Sequence, residues 1–401
     1  MLDEFDKLPL LKSNGTAKAA SNERRTRERK LWHDEREYPT SLGCFACRYA
    51  DICGGLSVKS SPWDCLDFCC GKDKSCNVVC PNRPFDFVQR AREVGGFRLG
   101  NVPRASKLLT SPLPNAIPIL YHGSNRIQSF RQPVVCLPLA GFLSRTTSGL
   151  RFSNRNEVVD FFKLDTNTRI VLTGIDQDSS VERWWGIGDG RIELIKGLRS
   201  LGVEMVTTPN FSLIADRPRM NDLHSMNRIA ITHEEFLREG MRAALHVNAR
   251  TQQDWRNWTS YVSLREEVCD IAFEFATGAG RSRRKEWYLR QLIRLARICP
   301  HELHLIVRAV SYDDLATLAK AFSGVTLLET STFLKTMHRQ KAFINKSAKL
   351  NWLPQRTAPG EPLDDLLESN WCVVNACIAR TLQQPNRVRE SSQIHRESVA
   401  I

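Results

Sequence analysis

Apolar positions along this chain fall into two spacings that alternate. Between residues 115 and 345, short runs rich in β-branched residues are each followed by a stretch whose apolar positions recur three and four apart. The runs lie at 117–121, 134–137, 169–173, 203–207, 244–247, 269–275, 303–307 and 325–328. Helices are predicted over 284–298 and 312–322, the second with Asp313 and Asp314 in its first turn, where the helix dipole favours acid. Seven or eight such repeats in about 230 residues predict a (β/α)8, TIM-like barrel. An open doubly wound sheet gives the same alternation and is the alternative. No G-x-G-x-x-G follows an early strand and no G-x-x-x-x-G-K-[ST] occurs, which speaks against dinucleotide and P-loop folds.

Outside that region the pattern breaks up. Residues 1–40 form a charged arm containing the run ERRTRERK at 23–30, a solvated helix or a basic arm on phosphate. Residues 41–90 are cysteine-rich and carry few regular apolar patterns. Residues 346–401 read as a Pro/Gly-rich linker over 353–362, a short helix near 363–382 and a disordered basic tail. No run of eighteen apolar residues occurs, so no membrane span is expected. The acidic start, Met1 to Asp6, lacks an apolar stretch, so a secretory signal is not expected and the cytoplasm is the expected compartment. Across 401 residues, 57 Lys and Arg against 44 Asp and Glu give +13. A polyanion becomes a candidate partner, although net charge serves solubility equally well.

The cysteines sharpen this picture. Eight of thirteen fall between Cys44 and Cys80: Cys44, Cys47, Cys53, Cys65, Cys69, Cys70, Cys76 and Cys80. In a reducing compartment such a cluster reads as metal ligation rather than disulfides. Eight thiolates would complete two four-coordinate sites, and metal would then supply the order that a core does not. The window lacks histidine and its C-x5-C spacing fits zinc knuckles poorly, so a [4Fe–4S] cluster is the first expectation and zinc the alternative. Cys136, Cys269, Cys299, Cys372 and Cys377 sit among apolar residues and read as small buried hydrophobes.

Two resemblances follow from these residues. Cys44 to Gly55, a C-x2-C-x5-C-G-G run, resembles the SPASM-type auxiliary [4Fe–4S] motif of radical-SAM maturases. That motif continues to a fourth cysteine where this chain has Ser57, so Cys65 or a later cysteine would substitute. The C-x3-C-x2-C triplet of the radical-SAM cluster is absent from the chain, so radical-SAM catalysis is not implied. Residues 208–218, TPNFSLIADRP, resemble the P-[ND]-[FY]-S-L-x-x-D-x-P signature of an uncharacterised domain family of phages and bacterial mobile elements. That resemblance implies a long helix over about 219–240 followed by a strand, and brings no known reaction.

In parallel α/β folds chemistry gathers where strands end. Those ends offer Tyr121 and His122, Asp176 and Asp178, the loop Asn210–Arg217, His246 and Asn248, Glu274, Arg308, and Glu329. Glu274 interrupts an apolar run, where a carboxylate needs a partner or a task, and it leads the catalytic candidates with Asp176 and Asp216. Asn210, Ser212, Arg217, His246 and Arg308 are candidate ligand-binding residues, Arg217 by forking onto a phosphate. Asp176 and Asp178 could equally cap a helix, as Asp216 could cap one that begins at Pro218. The glycine-rich, then basic, stretch 278–285 suits an anion or an ordinary loop.

Three functions are consistent with these features. The first is an enzyme whose barrel acts on a nucleotide or nucleic acid beside a metal segment. The second is a non-catalytic nucleic-acid-binding protein with a structural zinc or Fe–S site. The third is an interaction subunit serving a protein partner encoded nearby.

Overall fold

A computed structural model describes residues 48–54, 86–213, 219–276, 284–358 and 360–383. Eight strands carry the architecture: β1 (Ala116–Pro118), β2 (Val134–Pro138), β3 (Arg169–Thr173), β4 (Val203–Thr207), β5 (Arg242–His246), β6 (Asp270–Glu274), β7 (His304–Arg308) and β8 (Gly324–Glu329). All pair in parallel, in the order β1-β8-β7-β6-β5-β4-β3-β2. The ends of that series meet, because Ile119 bridges Cys136 in parallel and the Leu120 N–H donates to the Cys136 carbonyl at 2.9 Å. The sheet is therefore a closed (β/α)8, TIM-like barrel and not an open one.

The helices are α1 (Ala50–Cys53), α2 (Asp86–Glu93), α3 (Arg155–Phe162), α4 (Asp178–Gly186), α5 (Arg191–Ser200), α6 (Arg219–Arg238), α7 (Gln252–Ser263), α8 (Lys285–Ile298), α9 (Tyr312–Ala319), α10 (Ser331–Met337) and α11 (Asp364–Gln383). Local chemistry sets several of their starts. Asn154 caps α3, Thr251 and Asp254 form a capping box on α7, and Ser311 accepts the Asp314 N–H at the head of α9.

No helix follows β1. Its place on the wall is taken by the C-terminal helix α11, which buries Leu367, Trp371, Val374 and Ile378. The Asp364 carboxylate accepts the N–H groups of Ile127 and Gln128, and the Trp371 indole N–H donates to Gln132, fixing α11 against the β1–β2 connection. The helix expected near 363–382 is present as α11, longer than a short appended helix and packed into the barrel wall. Ahead of it the chain forms an antiparallel hairpin that the sequence did not suggest, β9 (Gln340–Ile344) and β10 (Leu350–Pro354).

Side chains alternate along a strand, so residues two apart share a face. The inward face is thus three tiers deep. In the middle, Cys136, Val171, Met205, Ala244, Ala272, Ile306 and Leu328 make a dry core. Two residues earlier, at the strand starts, Arg242, Asp270, His304 and Thr326 make a polar floor. Arg242 forks onto Asp270 at 2.8 and 2.6 Å, and His304 bridges Asp270 at 2.8 Å and Thr326 at 3.0 Å. Below it, the carbonyls of Ser111, Pro112 and Pro114 accept from Arg242, Arg169 and Thr326, so the incoming chain seals this end. Two residues after the core, at the strand ends, stand His246, Glu274 and Arg308.

Helix α6, where the resemblance implied a long helix, is mostly polar yet buried along nearly its whole length. It is covered on its outer side by residues 86–102, and its charges are paired: Arg219 with Asp222 and Asp254, Arg228 with Glu182, Glu235 with Arg191 and His224 with Glu93. The short α1 docks on the same side, where Asn257 holds the Ile52 carbonyl at 2.6 Å and Arg219 holds that of Cys53. Among the described residues, no helix is long and apolar enough to cross a membrane.

Candidate active site at the barrel mouth

A cavity of about 410 Å³ opens at the C-terminal end of the strands, within the range of small-molecule sites. Its walls include seven residues singled out from sequence, Asp176, Asp178, Asn210, Ser212, His246, Asn248 and Glu274, from four different strand ends. Arg308, on the neighbouring strand, faces Glu274 through the register pairing of β6 with β7. Asp216, Arg217 and all cysteines of the predicted metal segment except Cys53 lie outside the described residues. Among the described residues, no group of three or more His, Cys, Asp or Glu is gathered as a metal-ligand set. Sequence reasoning passed over Arg250 and Tyr288, which also line the cavity. Arg250 sits only two residues beyond Asn248, but Tyr288 is hidden in the apolar rhythm of α8.

Close backbone packing brings two of these loops together. A Cβ on Gly174, just after β3, would stand 2.5 Å from the carbonyl oxygens of Thr207 and Thr208, so only glycine lets the loop after β4 approach this closely. The Asn210 N–H then donates to the Gly174 carbonyl at 3.1 Å, and Ser212 Oγ donates to Asp178 Oδ1 at 2.6 Å. Asp178 therefore reaches across to the neighbouring loop rather than capping α4, whose N-cap Gln177 makes no side-chain bond. Asn248 donates to Asn210 Oδ1 and to the Phe211 carbonyl, both at 3.0 Å, tying the β5 end to the same loop.

His246 is fully inside, and its tautomer is fixed. Nδ1 lies 2.6 Å from the Thr208 carbonyl, which can only accept, so Nδ1 carries the proton. Nε2 is then a bare acceptor on the far edge of a cavity-lining ring, buried and without a hydrogen-bond partner. Burial, helped by the Arg308 charge and opposed by the Thr208 contact, lowers its pKa to about 4 and keeps the ring neutral near pH 7.

Glu274 is equally enclosed, its side chain 2% exposed. Oε1 accepts the Ala276 N–H at 2.8 Å, while Oε2 lies 3.4 Å from Arg308 Nε, without hydrogen-bond geometry, and has no other partner. Burial raises its pKa, against the pull of Arg308 and the Ala276 N–H. Arg308 Nη2 also reaches Tyr121 Oη at 3.4 Å, and burial raises that phenol as well. Arg308 thus contacts both Glu274 and Tyr121, and its charge is also felt at His246.

No family model matches the sequence, and none of the curated proteins does. Among solved structures, one that is similar is a crystal structure described as that of "a putative lyase/mutase from Burkholderia cenocepacia J2315". It is 12% identical over 63% of this chain and 89% of that one, with a TM-score of 0.29. So loose a superposition adds nothing to the barrel assignment, which rests on strand order and closure.

Proposed function

We propose that the chain is an enzyme whose barrel mouth moves a proton on a small polar molecule, with Glu274 as the proton carrier. The observation that supports this most is the pairing of two buried, unsatisfied acceptors, Glu274 Oε2 and His246 Nε2, at the strand ends that frame one cavity. Buried polar atoms are normally satisfied within the protein, and two that are not, at strand ends framing one cavity, mark a place for a ligand. A carboxyl whose pKa is displaced toward neutrality suits general acid–base work. The walls are rich in acceptors: Asp176, Asp178, Glu274 and His246 Nε2. They suit a substrate that brings O–H and N–H donors, as a nucleoside, nucleotide or sugar does. A 410 Å³ cavity takes a molecule of that size, so the nucleotide reading is favoured here over a nucleic-acid strand.

The thiolate-rich segment belongs to this proposal as a separate element, holding a [4Fe–4S] cluster or, as the alternative, zinc. Its support is the density of cysteines between Cys44 and Cys80. Iron, sulfide and zinc counts on anaerobically purified full-length protein decide it, and protein free of all three metal signatures would overturn it.

For the barrel, a panel of nucleosides, nucleotides and sugars is incubated with the full chain in D2O and followed by NMR. Conversion or carbon-bound deuterium in at least one compound is expected, and Glu274→Gln is expected to slow it by about 10²–10⁴. Full activity in Glu274→Gln, or no turnover of any compound by wild type, would remove the proposal.

A further inference from the structure

Glu274 does not stand alone at the top of its strand. Arg308 Nε is 3.4 Å from Glu274 Oε2, and Arg308 Nη2 is 3.4 Å from Tyr121 Oη. Both contacts are long, the Arg308 side chain is 22% exposed, and its Nη1 has no partner among the described residues. A guanidinium carries five N–H donors and no acceptor, so this one retains donors for a ligand. The Tyr121 oxygen accepts from Arg308, which leaves its own O–H free to donate. Ala309, directly after Arg308, has a φ of 58°, a left-handed conformation that costs a non-glycine residue about 1 kcal/mol or more.

We propose that Arg308 and Tyr121 form an oxyanion site and that the substrate is a carbon acid, a molecule with a C–H next to a carbonyl group. This rests on the reading of Glu274 as proton carrier. In a carbon acid the labile C–H and the carbonyl oxygen are one carbon apart, which matches a base and a charged donor set 3.4 Å apart. The ionised Glu274 takes the proton from carbon, and the C–H electron pair becomes the C=C bond. The carbonyl π pair moves to oxygen, where Arg308 and the Tyr121 O–H stabilise the charge. Glu274 then returns the proton to the same carbon, an exchange. Where that carbon also bears a hydroxyl, the hydroxyl proton passes to the enolate oxygen as the hydroxyl's C–O bond becomes C=O, and Glu274 protonates the former carbonyl carbon, an isomerisation. Neither needs an oxidant. Hydroxyl groups on the rest of such a substrate meet the bare acceptor of His246 and the Asp176 carboxylate across the cavity.

Oxalate, a planar dianion shaped like an enolate, is the binding probe, titrated calorimetrically into the full chain. Wild type is expected to bind it, Arg308→Met to weaken binding about tenfold or more, and Tyr121→Phe by several-fold. Arg308→Lys, which keeps the charge but not the fork, is expected to fall between, and it covers the case in which the methionine variant fails to fold. Glu274→Gln is expected to bind oxalate as tightly as wild type or more tightly, so this result stands apart from any failure of Glu274 as proton carrier. Pyruvate, hydroxypyruvate and dihydroxyacetone in D2O provide the second readout. Enzyme-dependent deuterium entry at the carbon beside the carbonyl of at least one is expected, lost in Arg308→Met. No oxalate binding, binding indifferent to Arg308, inorganic phosphate bound as tightly as oxalate, or oxalate binding without exchange into any of the three would overturn the proposal.

Discussion

The two ends of this barrel use the same alternation of strand positions for opposite purposes. At the floor, Arg242, Asp270, His304 and Thr326 satisfy one another at 2.6–3.0 Å, and the incoming chain at Ser111 to Pro114 covers them. At the mouth, His246, Glu274 and Arg308 occupy the same inward positions four residues further along their strands, yet two of their buried acceptor atoms have no hydrogen-bond partner, Glu274 Oε2 keeping only a long 3.4 Å ion-pair contact with Arg308. Polar residues at the floor thus close a structure, and polar residues at the mouth hold a place for something else. The pKa directions agree: partners hold Asp270 below the usual carboxylate range despite its burial, whereas burial prevails at Glu274 and raises it.

Breaking the floor should have the largest effect. Asp270→Ala leaves Arg242 and His304 without their carboxylate, and loss of one partner in a buried pair costs about 3–5 kcal/mol. Urea unfolding of the purified variant measures it, and a loss under about 1 kcal/mol would show that the floor is not the structural end. Gly174→Ala comes next. Its Cβ would press on two carbonyl oxygens at 2.5 Å and force the loop after β4 away, at a cost of about 1–3 kcal/mol in unfolding free energy. An alanine variant as stable as wild type would show that this close approach does not set the cavity wall.

The smallest effect concerns acid. His246 has a pKa lowered to about 4 in the folded state, against 6.5 for an ordinary histidine. Between those values the unfolded chain binds a proton that the folded one refuses, so stability is full above pH 6.5 and declines as pH falls toward 4. His224 and His233, also lowered to about 4, add slopes of the same sign. His246→Asn should therefore leave stability near pH 7 within about 1 kcal/mol and flatten the decline between pH 6.5 and 4. Thermal unfolding across that range checks it, and an unchanged slope would contradict the neutral, enclosed imidazole.

Much of the barrel was legible because its strands stand out as short β-rich runs between amphipathic stretches. The run at 203–207 coincides with β4, and that at 169–173 with β3. Glu274 stood out for the same reason, as a charge interrupting such a run. The β9–β10 hairpin was not legible, because half-exposed residues around Trp352 and Pro354 resemble a linker. Nor was the role of α11, since what calls for it is the missing helix after β1, a neighbour relation that exists only once the barrel closes. Arg250 and Tyr288 reach the cavity through the placement of a loop and a helix rather than through any local pattern.

The central distinction, a mouth held unsatisfied for function against a floor satisfied for structure, is tested most directly by the unfolding free energy of Glu274→Gln as a function of pH. The folded state holds the Glu274 proton more tightly than the unfolded chain, so in wild type this group lowers stability as pH rises above 4.5. Glutamine has no charge to bury, and Arg308 keeps contact with water. The variant should match wild type near pH 4 and equal or exceed it at pH 7.5. A variant less stable than wild type by about 2 kcal/mol or more at pH 7.5, the loss expected of a structural buried ion pair, would contradict the account.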